Sequence, residues 1–476
     1  MKKTHGMPSA VRKVVSVSMC PLVPSKRLLW IAGVVVVPAA TLAGAMPEWA
    51  GVCGLAMLAL VALAVVDAWL GWSRLDRVAV DAPAVIHGAR GRVVDLQVPV
   101  QGLVTTTRIG LSLPDVVRCA DPVVRLEPAE AVAEWPLRVL KRGRHRFDFA
   151  FVEAASPIGL WLRRRAVPLG TELLVYPDLR RERTALSAVF LNRGGLGRHA
   201  RAQVGKGREY DHLRDYTAGD DFGDIHWKST ARRGFPVTKT FQIERTREVY
   251  VVIDHSRLSA RELPSAPSPP DDRPAQVAGA PMGGDAAIET HLERALESAL
   301  ALGLAAERQH DLFGLVTFAD QVTRFIRAGA GRAHYGSCRN AVLTLEPRLV
   351  APDFEELFVS LRRSLTRRAL VVILTDLSDP LQAEAFVRDV RLVAQHHVVI
   401  VSMIRPPRAA PLFSNPGVED LDDIFRDLSG HFLWHDLQEV TAVLARQGVR
   451  LSLPDSAALT VDVVSRYMEV KNRQLL

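Results

Sequence analysis

The chain has 476 residues, of which 48% are hydrophobic, with a formal net charge of +8 and a mean hydropathy of +0.09. That length holds two or three domains, and that hydropathy is high for a purely soluble protein. The four cysteines, Cys20, Cys53, Cys119 and Cys338, are scattered, with no C-x-x-C and no Cys/His cluster, so neither a disulfide framework nor a zinc site is indicated.

Residues 1–27 carry Lys2, Lys3, Arg12, Lys13, Lys26 and Arg27 and no acidic residue, which predicts a basic tail. Residues 28–45 and 49–66 are uncharged, and each is long enough to cross most of a hydrocarbon core of about 30 Å as a helix. Only Met46-Pro47-Glu48 separates them, and Trp30, Trp49, Trp69 and Trp72 lie near their ends, as an aromatic belt would. Residues 28–72 therefore predict a two-helix transmembrane hairpin. Ala43-Gly44-Ala45 has the look of a signal-peptidase site, but a second apolar span follows at once. A buried soluble hairpin fits less well, because apolar residues cover every face. The basic tail, with Arg74 and Arg77 beyond the second span, predicts a two-pass protein of the cell's inner (cytoplasmic) membrane, with both termini and the bulk of the chain cytoplasmic. The positive charge near these segments points to an anionic membrane surface rather than nucleic acid.

Residues 75–178 read as β-rich. Val94, Leu96, Val98 and Val100 alternate with polar or small residues and share one face of a strand, and Pro99 argues that this strand is an edge. Arg77–Val80 and 147–151 show the same period, with Gly88, Gly91 and Gly143 supplying turns. A small antiparallel β-sandwich, immunoglobulin-like, is expected here. Residues 179–206, polar and rich in Arg and Gly, are the expected linker.

The segment 207–248 is dense in charge and aromatics. Arg208, Glu209, Asp211, Arg214, Asp215, Asp220, Asp221 and Asp224 alternate with Tyr210, Tyr216, Phe222 and Trp227, and Lys228, Arg232, Arg233 and Lys239 follow. Charge runs are usually solvated faces. Aromatics interleaved with them point instead to a structured collar whose charges are paired or presented to a partner. From Val249 the pattern changes to apolar strands, at 249–253, 312–318, 369–374 and 398–403, alternating with amphipathic helices. Ile288, Leu292, Leu296, Ala299, Leu300 and Leu304 mark one helix and Phe354, Leu357, Phe358 and Leu361 another, while a last helix begins near Leu459. Such alternation predicts an α/β domain over 249–476, with a doubly wound, mainly parallel sheet. Residues 261–286, rich in Pro, Ala and Gly, read as a disordered insertion within it.

The collar carries Gly207, Glu209, Tyr210, Leu213, Arg214, Tyr216, Gly219, Asp220, Ile225, Trp227, Thr230, Ala231 and Arg232 at a spacing that resembles the family called domain of unknown function 58. The run Lys141–Phe147 followed by Ser156-Pro157-Ile158-Gly159-Leu160 is similar to a second feature of that family, with Ser156 where Asp is usual. The resemblance implies a membrane protein whose C-terminal domain is von Willebrand factor A-like. It also implies a partnership with a MoxR-type AAA+ ATPase and its client protein. Such A-like domains hold Mg²⁺ or Mn²⁺ through D-x-S-x-S, a later Thr and a later Asp. The carry-over matches Asp254, Ser256 and Asp376, which makes a partial metal-ion-dependent adhesion site, because Leu258 stands where the second Ser belongs. Hard divalent cations take oxygen ligands, and water can replace a missing hydroxyl. Alternatively, both Asp residues cap the turns that follow them.

No G-x-x-x-x-G-K-[ST], G-x-S-x-G or H-E-x-x-H occurs, and no nucleic-acid-binding motif accompanies the basic residues. The expected function is that of a non-enzymatic, membrane-anchored adaptor. An outward-facing adhesion protein is the alternative. A metal-dependent hydrolase built on Asp215, Asp220, Asp221, Asp224 and His226 is a weaker one, since pairing of those carboxylates with Arg208, Arg214 and Arg232 explains them more simply.

Overall fold

The structure is a computed structural model that describes residues 22–72, 74–128, 132–184, 187, 204–217, 220–242, 247–263, 289–412, 414 and 420–473. The described residues divide into two compact units, one within residues 22–176 and the other within residues 177–263 and 289–473. Most of the expected insertion, 264–286, and the expected basic tail up to residue 21 lie outside the described residues.

In the first unit, strand β1 (Leu22–Pro24) leads into helix α1 (Lys26–Ala45). Ser25 caps α1 by accepting a hydrogen bond from Leu28 N at 3.3 Å. A single 3₁₀ turn over Pro47–Trp49 reverses the chain into α2 (Ala50–Gly71). Both helices are long and apolar enough to cross a membrane, and no residue of α1 is buried. Helix α2 continues past the uncharged stretch, through Asp67, because Asp67 is fully buried at a polar joint. Its carboxylate accepts from Ser156 Oγ at 2.5 Å, Ile158 N at 2.9 Å and Leu160 N at 3.0 Å. Trp161 Nε1 donates to Ala64 O at 2.8 Å, and Ser25 Oγ donates to Gly159 O at 2.6 Å. Gly159 takes φ of +82°, and a Cβ on Gly71 would come within 3.1 Å of Ser156 Cβ, so both glycines permit the close approach.

The 156–160 turn joins β9 (Gly143–Ala155) to β10 (Trp161–Tyr176), so Asp67 ties the helical hairpin to the β module. Asp67→Ala strips the acceptor from three donors at once, two of them on buried residues. We expect a loss of about 2–4 kcal/mol in the detergent-solubilised protein, since each buried unsatisfied group costs about 1–3 kcal/mol. Thermal unfolding with an unchanged midpoint would show that the joint contributes nothing.

The module has two sheets. One contains β1, β3 (Val85–Ala89), β5 (Thr107–Leu111), β7 (Val123–Leu126), β9 and β10. The other runs β2 (Ala79–Val80), β4 (Val93–Gln101), β8 (Val132–Val139), β6 (Val117–Arg118). Pairing is antiparallel except between β3 and β10. One core lies between the sheets: Leu96, Val98 and Val100 of β4 and Trp135 and Leu137 of β8 meet Ile109, Phe147, Val152 and Leu173. The period-two alternation of β4 follows the sequence expectation. The edge expectation from Pro99 needs amending, because β4 is paired on both sides. Its second partner, however, is only the two residues of β2, opposite Val100 and Gln101, so Pro99 falls where that pairing stops.

The second unit begins with a helical turn at 180–184 inside the expected linker. A hairpin follows, of β11 (Val204–Asp215) with β12 (Val237–Gln242), and carries the short helix α3 (Trp227–Arg233) between its strands. Then comes the central sheet of β13 (Glu248–Asp254), β14 (Leu312–Phe318), β15 (Val322–Gly329), β16 (Ala369–Leu374), β17 (Val398–Ser402) and β18 (Arg450–Ser452). Its spatial order is β15-β14-β13-β16-β17-β18, parallel throughout except for β15. Alternate residues of β13 feed opposite cores, as a strand buried on both faces requires. Val249, Val251 and Ile253 pack with α4 (His291–Arg308), α5 (Arg332–Leu343) and α10 (Leu459–Asn472). Tyr250 and Val252 pack with α6 (Phe354–Ser364), α7 (Pro380–Asp389), α8 (Arg391–Ala394) and α9 (Leu421–Arg446). The result is a mixed α/β domain with helices on both faces of the sheet.

Candidate functional site

In this strand order β13 has its sequence successor β14 on one side and β16 on the other, so the chain reverses its direction of travel across the sheet at β13. Ligands in open α/β sheets bind beyond the carboxyl ends of the strands at such a point. Asp254 is the last residue of β13, and Asp376 stands two residues past the end of β16. The structure thus brings the sequence-predicted Asp254, Ser256 and Asp376 onto one end of two adjacent parallel strands.

Each Asp divides its oxygens between two tasks. Asp254 Oδ1 accepts from Ser256 N at 2.8 Å and Asp376 Oδ1 accepts from Ser378 N at 2.9 Å, the i to i+2 turn that short acidic side chains favour. The second oxygens face across the site: Asp254 Oδ2 accepts from Thr375 Oγ1 at 2.6 Å, and Asp376 Oδ2 pairs with Arg261 Nη1 at 3.1 Å. Ser256 is fully buried beside the Asp254 carboxylate, and its Oγ has no hydrogen bond of normal geometry. Ser259 Oγ donates to Ser256 O at 2.8 Å and fixes the turn. A cavity of about 30 Å³ opens among Asp254, Ser259, His291, Thr375, Asp376 and Ser402, room for one water or one small ion.

The electrostatics follow from burial. Desolvation holds the Asp254 carboxyl above the ordinary carboxylate range, against the hydrogen bonds from Thr375 and Ser256 that favour its charged form. Desolvation likewise pulls His291 below its ordinary value, against the pull of Asp376. A buried carboxyl beside a buried hydroxyl that has no hydrogen bond of normal geometry is an arrangement in which a cation, or a donor from another molecule, would be stabilised. The donor set around Asp254, Ser256 and Asp376 is all oxygen, which suits Mg²⁺ or Mn²⁺. Among the described residues no group of three or more His, Cys, Asp or Glu side chains has metal-binding geometry.

Sequence reasoning missed Thr375, Arg261 and His291. Thr375 had a signal, since it precedes Asp376 directly at the strand end. Thr317, placed in a strand by its surroundings, lies in β14 and shares a 2.7 Å hydrogen bond with Thr323 Oγ1.

The collar residues are distributed differently. Glu209 and Tyr210 lie on β11 opposite Gln242 and Phe241, and Gly219 lies outside the described residues. Arg214 Nη2 donates to Asp220 Oδ1 at 2.5 Å, and Thr217 N donates to Asp220 Oδ2 at 3.0 Å. That backbone bond, with the Arg214 guanidinium, holds Asp220 below the usual carboxylate range. Tyr216 and Phe222 place their rings 6.0 Å apart. Asp221 accepts from Gly223 N at 3.1 Å, which closes a turn. Trp227 opens α3 and is 67% exposed, and Arg232 is exposed in its last turn. These residues brace a hairpin and present an indole.

An α/β sheet domain with paired carboxylates at its switch point, in a chain with two long apolar helices, is the class that these features define. Residues 212–263 and 284–424 match the family described as "Protein of unknown function DUF58". An uncharacterized protein of Mycobacterium tuberculosis is 26% identical over 227 residues, covering 47% of this chain and 62% of the relative. The uncharacterized protein YeaD of Bacillus subtilis is 27% identical over 128 residues, 27% of this chain and 32% of that protein. The chain thus spans under two thirds of the length of these relatives. Among solved structures, proximal thread matrix protein 1 from the mussel byssus is 13% identical with a TM-score of 0.23, covering 46% of this chain and 45% of that one. An uncharacterized membrane-spanning protein from Vibrio fischeri is 13% identical with a TM-score of 0.16, over 47% of this chain and 98% of that one.

Proposed function

We propose that this protein is a membrane-anchored, non-enzymatic adaptor. In this reading the two apolar helices hold it in the inner (cytoplasmic) membrane as a two-pass hairpin, with both termini and both folded units on the cytoplasmic side. The C-terminal domain is read as von Willebrand A-like, and it works with a MoxR-type AAA+ ATPase on the assembly or maturation of a client protein. The observation that carries the reading is the convergence of Asp254, Ser256 and Asp376 at the switch point of the sheet, with the buried Ser256 hydroxyl beside the Asp254 carboxyl and making no hydrogen bond of normal geometry. Asp254, Ser256 and Asp376 would hold Mg²⁺ or Mn²⁺, and the cation would supply an open coordination position for a carboxylate of the partner. Arg261, 46% exposed at its side chain, is the group that leaves Asp376 when the site is engaged.

The test is a pull-down of the full-length protein in mild detergent from its own cells, with and without Mg²⁺. The expected result is magnesium-dependent recovery of an AAA+ ATPase, reduced at least tenfold by Asp254→Ala and by Asp376→Ala in protein that remains folded. Unchanged recovery with both variants would remove the site from the reading, and recovery of extracellular proteins alone would favour an outward-facing adhesion protein.

A further inference from the structure

The side of the domain formed by α7 and α9 has features that the carboxylate site does not use. A groove of about 430 Å³ runs between these helices, floored by Ala383 and Leu437 and walled by Val440. Three carboxylates rim it, Glu384 on α7 and Asp436 and Glu439 on α9, and no Lys, Arg or His is among the described residues that line it. All three carboxylates are exposed; Arg388, four residues beyond Glu384 on α7, feels its charge but pairs with Asp389 at 2.8 Å. In a chain of net charge +8 this is a local reversal of sign. It extends along α9, where Asp420, Asp422, Asp423 and Asp427 precede Asp436 and Glu439 against Arg426, His431 and His435.

The groove wall also continues along the helix. Phe425, Phe432, Asp436, Glu439 and Val443 follow one another at steps of seven, four, three and four, which keeps them on one face of α9. Phe425 is 65% exposed and Phe432 is 61% exposed. Isolated exposed apolar side chains need no explanation, but these two exposed phenylalanines share the helix face that carries the groove's Asp436, Glu439 and Val443. From 425 to 443 the stripe is about 27 Å long at 1.5 Å per residue, the length of a five-turn helix.

We propose that the groove between α7 and α9, continued by Phe432 and Phe425, is a docking surface for a basic amphipathic helix of a partner protein. Two helices flanking an apolar trough offer the ridges into which a third helix packs, with apolar anchors at i, i+3/i+4 and i+7. The carboxylate rim selects Lys or Arg on the flanks of that helix and speeds encounter with it. The same rim disfavours an anionic lipid surface, which attracts basic and not acidic helices. The groove adjoins the Asp254 site at Leu377 and Ser378, but its acidic rim and apolar floor lie on α7 and α9, so loss of the magnesium-dependent capture described above would leave the proposal standing.

The experiment uses the full chain in nanodiscs of zwitterionic lipid. The probe is an 18-residue synthetic helix with a leucine face and lysine flanks, carrying a photo-crosslinker, and a leucine/glutamate helix of the same pattern is the control. Crosslinks to the lysine helix are expected in α7 and α9, with no binding of the glutamate helix. The combined E384K, D436K and E439K variant should weaken binding at least tenfold. So should Phe425→Ser with Phe432→Ser, substitutions at exposed positions that leave the fold intact. The proposal is overturned by crosslinks confined to other surfaces, by equal binding of the two helices, or by unchanged affinity in either variant. It is also overturned if α9 of one copy crosslinks to α9 of another in the absence of peptide, or if the probe crosslinks only to lipid.

Discussion

Replacing Asp254 with Asn raises the melting temperature of the detergent-solubilised protein in chelator and abolishes any stabilisation by added Mg²⁺ or Mn²⁺. The substitution keeps the local bonds. The amide oxygen still accepts from Ser256 N, and the amide nitrogen donates to Thr375 Oγ1, which turns from donor to acceptor. What changes is the charge. The folded-state pKa of Asp254 is raised above its reference value of 3.8, with burial the largest cause. Its contribution to stability is therefore fully present below the unfolded pKa and is lost as the pH rises through the folded one. Above its folded-state pKa the wild type carries a buried charge that Asn does not, and each kcal/mol relieved lifts the midpoint by about 2–4 °C in a domain of this size. Lowering the pH toward 4 should narrow the difference between the two proteins, because Asp254 then takes up the proton that Asn never needs. A cation at one hundred times its dissociation constant would stabilise the wild type by about 2.7 kcal/mol. Calorimetry in chelator and at millimolar cation separates two ideas. A melting temperature for the Asn variant at or below that of the wild type in chelator would refute the burial argument. Insensitivity of both proteins to cation would make the carboxylate pair structural.

How far the sequence reveals this site depends on how local each interaction is. The four central strands are legible because burial on both faces demands unbroken apolar runs, and Asp254 and Asp376 stand out as the charges that end two of them. The hydrogen bond from Thr375 to Asp254 is not legible, because it needs the register that sets Ile253 against Leu374, across 121 residues of sequence. Strand β15 is missed for a different reason. It is an edge strand with only partly buried residues, and its sequence, VTRFIRAG, lacks the apolar run that marks its neighbours. The collar is intermediate. Arg214 and Asp220 pair within six residues, and charge alternation announces such a pair, whereas the exposure of Trp227 follows from the hairpin that carries it. Asp67 reads as an interruption at the end of an apolar helix. Only the turn 89 residues later shows that it is a joint.

The largest loss of stability is expected at a residue with no motif at all. Arg294 lies on the buried face of α4 and is only 3% exposed. Its Nη1 donates to Glu182 Oε1 at 2.9 Å and to Glu297 Oε2 at 2.8 Å, its Nε lies 3.1 Å from Glu289 Oε1, and its Nη2 donates to Ser456 O at 2.9 Å. One guanidinium thus fastens the helical turn at 180–184 and the Ser456 turn before α10 onto α4, one turn from His291 of the carboxylate site. Arg294→Met preserves volume and apolar stem but takes the guanidinium away from the carboxylates of Glu182, Glu289 and Glu297. Removing one partner of a buried ion cluster costs about 3–5 kcal/mol. Burial already raises the Glu182 pKa above its reference of 4.5, with Arg294 opposing the rise. In the variant that opposition is gone, so the folded-state pKa rises further and the penalty is greatest at neutral pH. As the pH falls through the folded-state pKa of Glu182 toward 4.5, protonation restores part of the loss, while the wild type gains less over the same interval. Adding Glu182→Gln to Arg294→Met should recover stability at neutral pH and flatten that pH dependence, because the group left behind no longer has to be buried charged. Chemical unfolding of the two variants at pH 5 and pH 7 provides the comparison. A single variant that loses under 1 kcal/mol, or that loses equally at both pH values, would mean that the cluster is open to water in solution and does not fasten the three segments together.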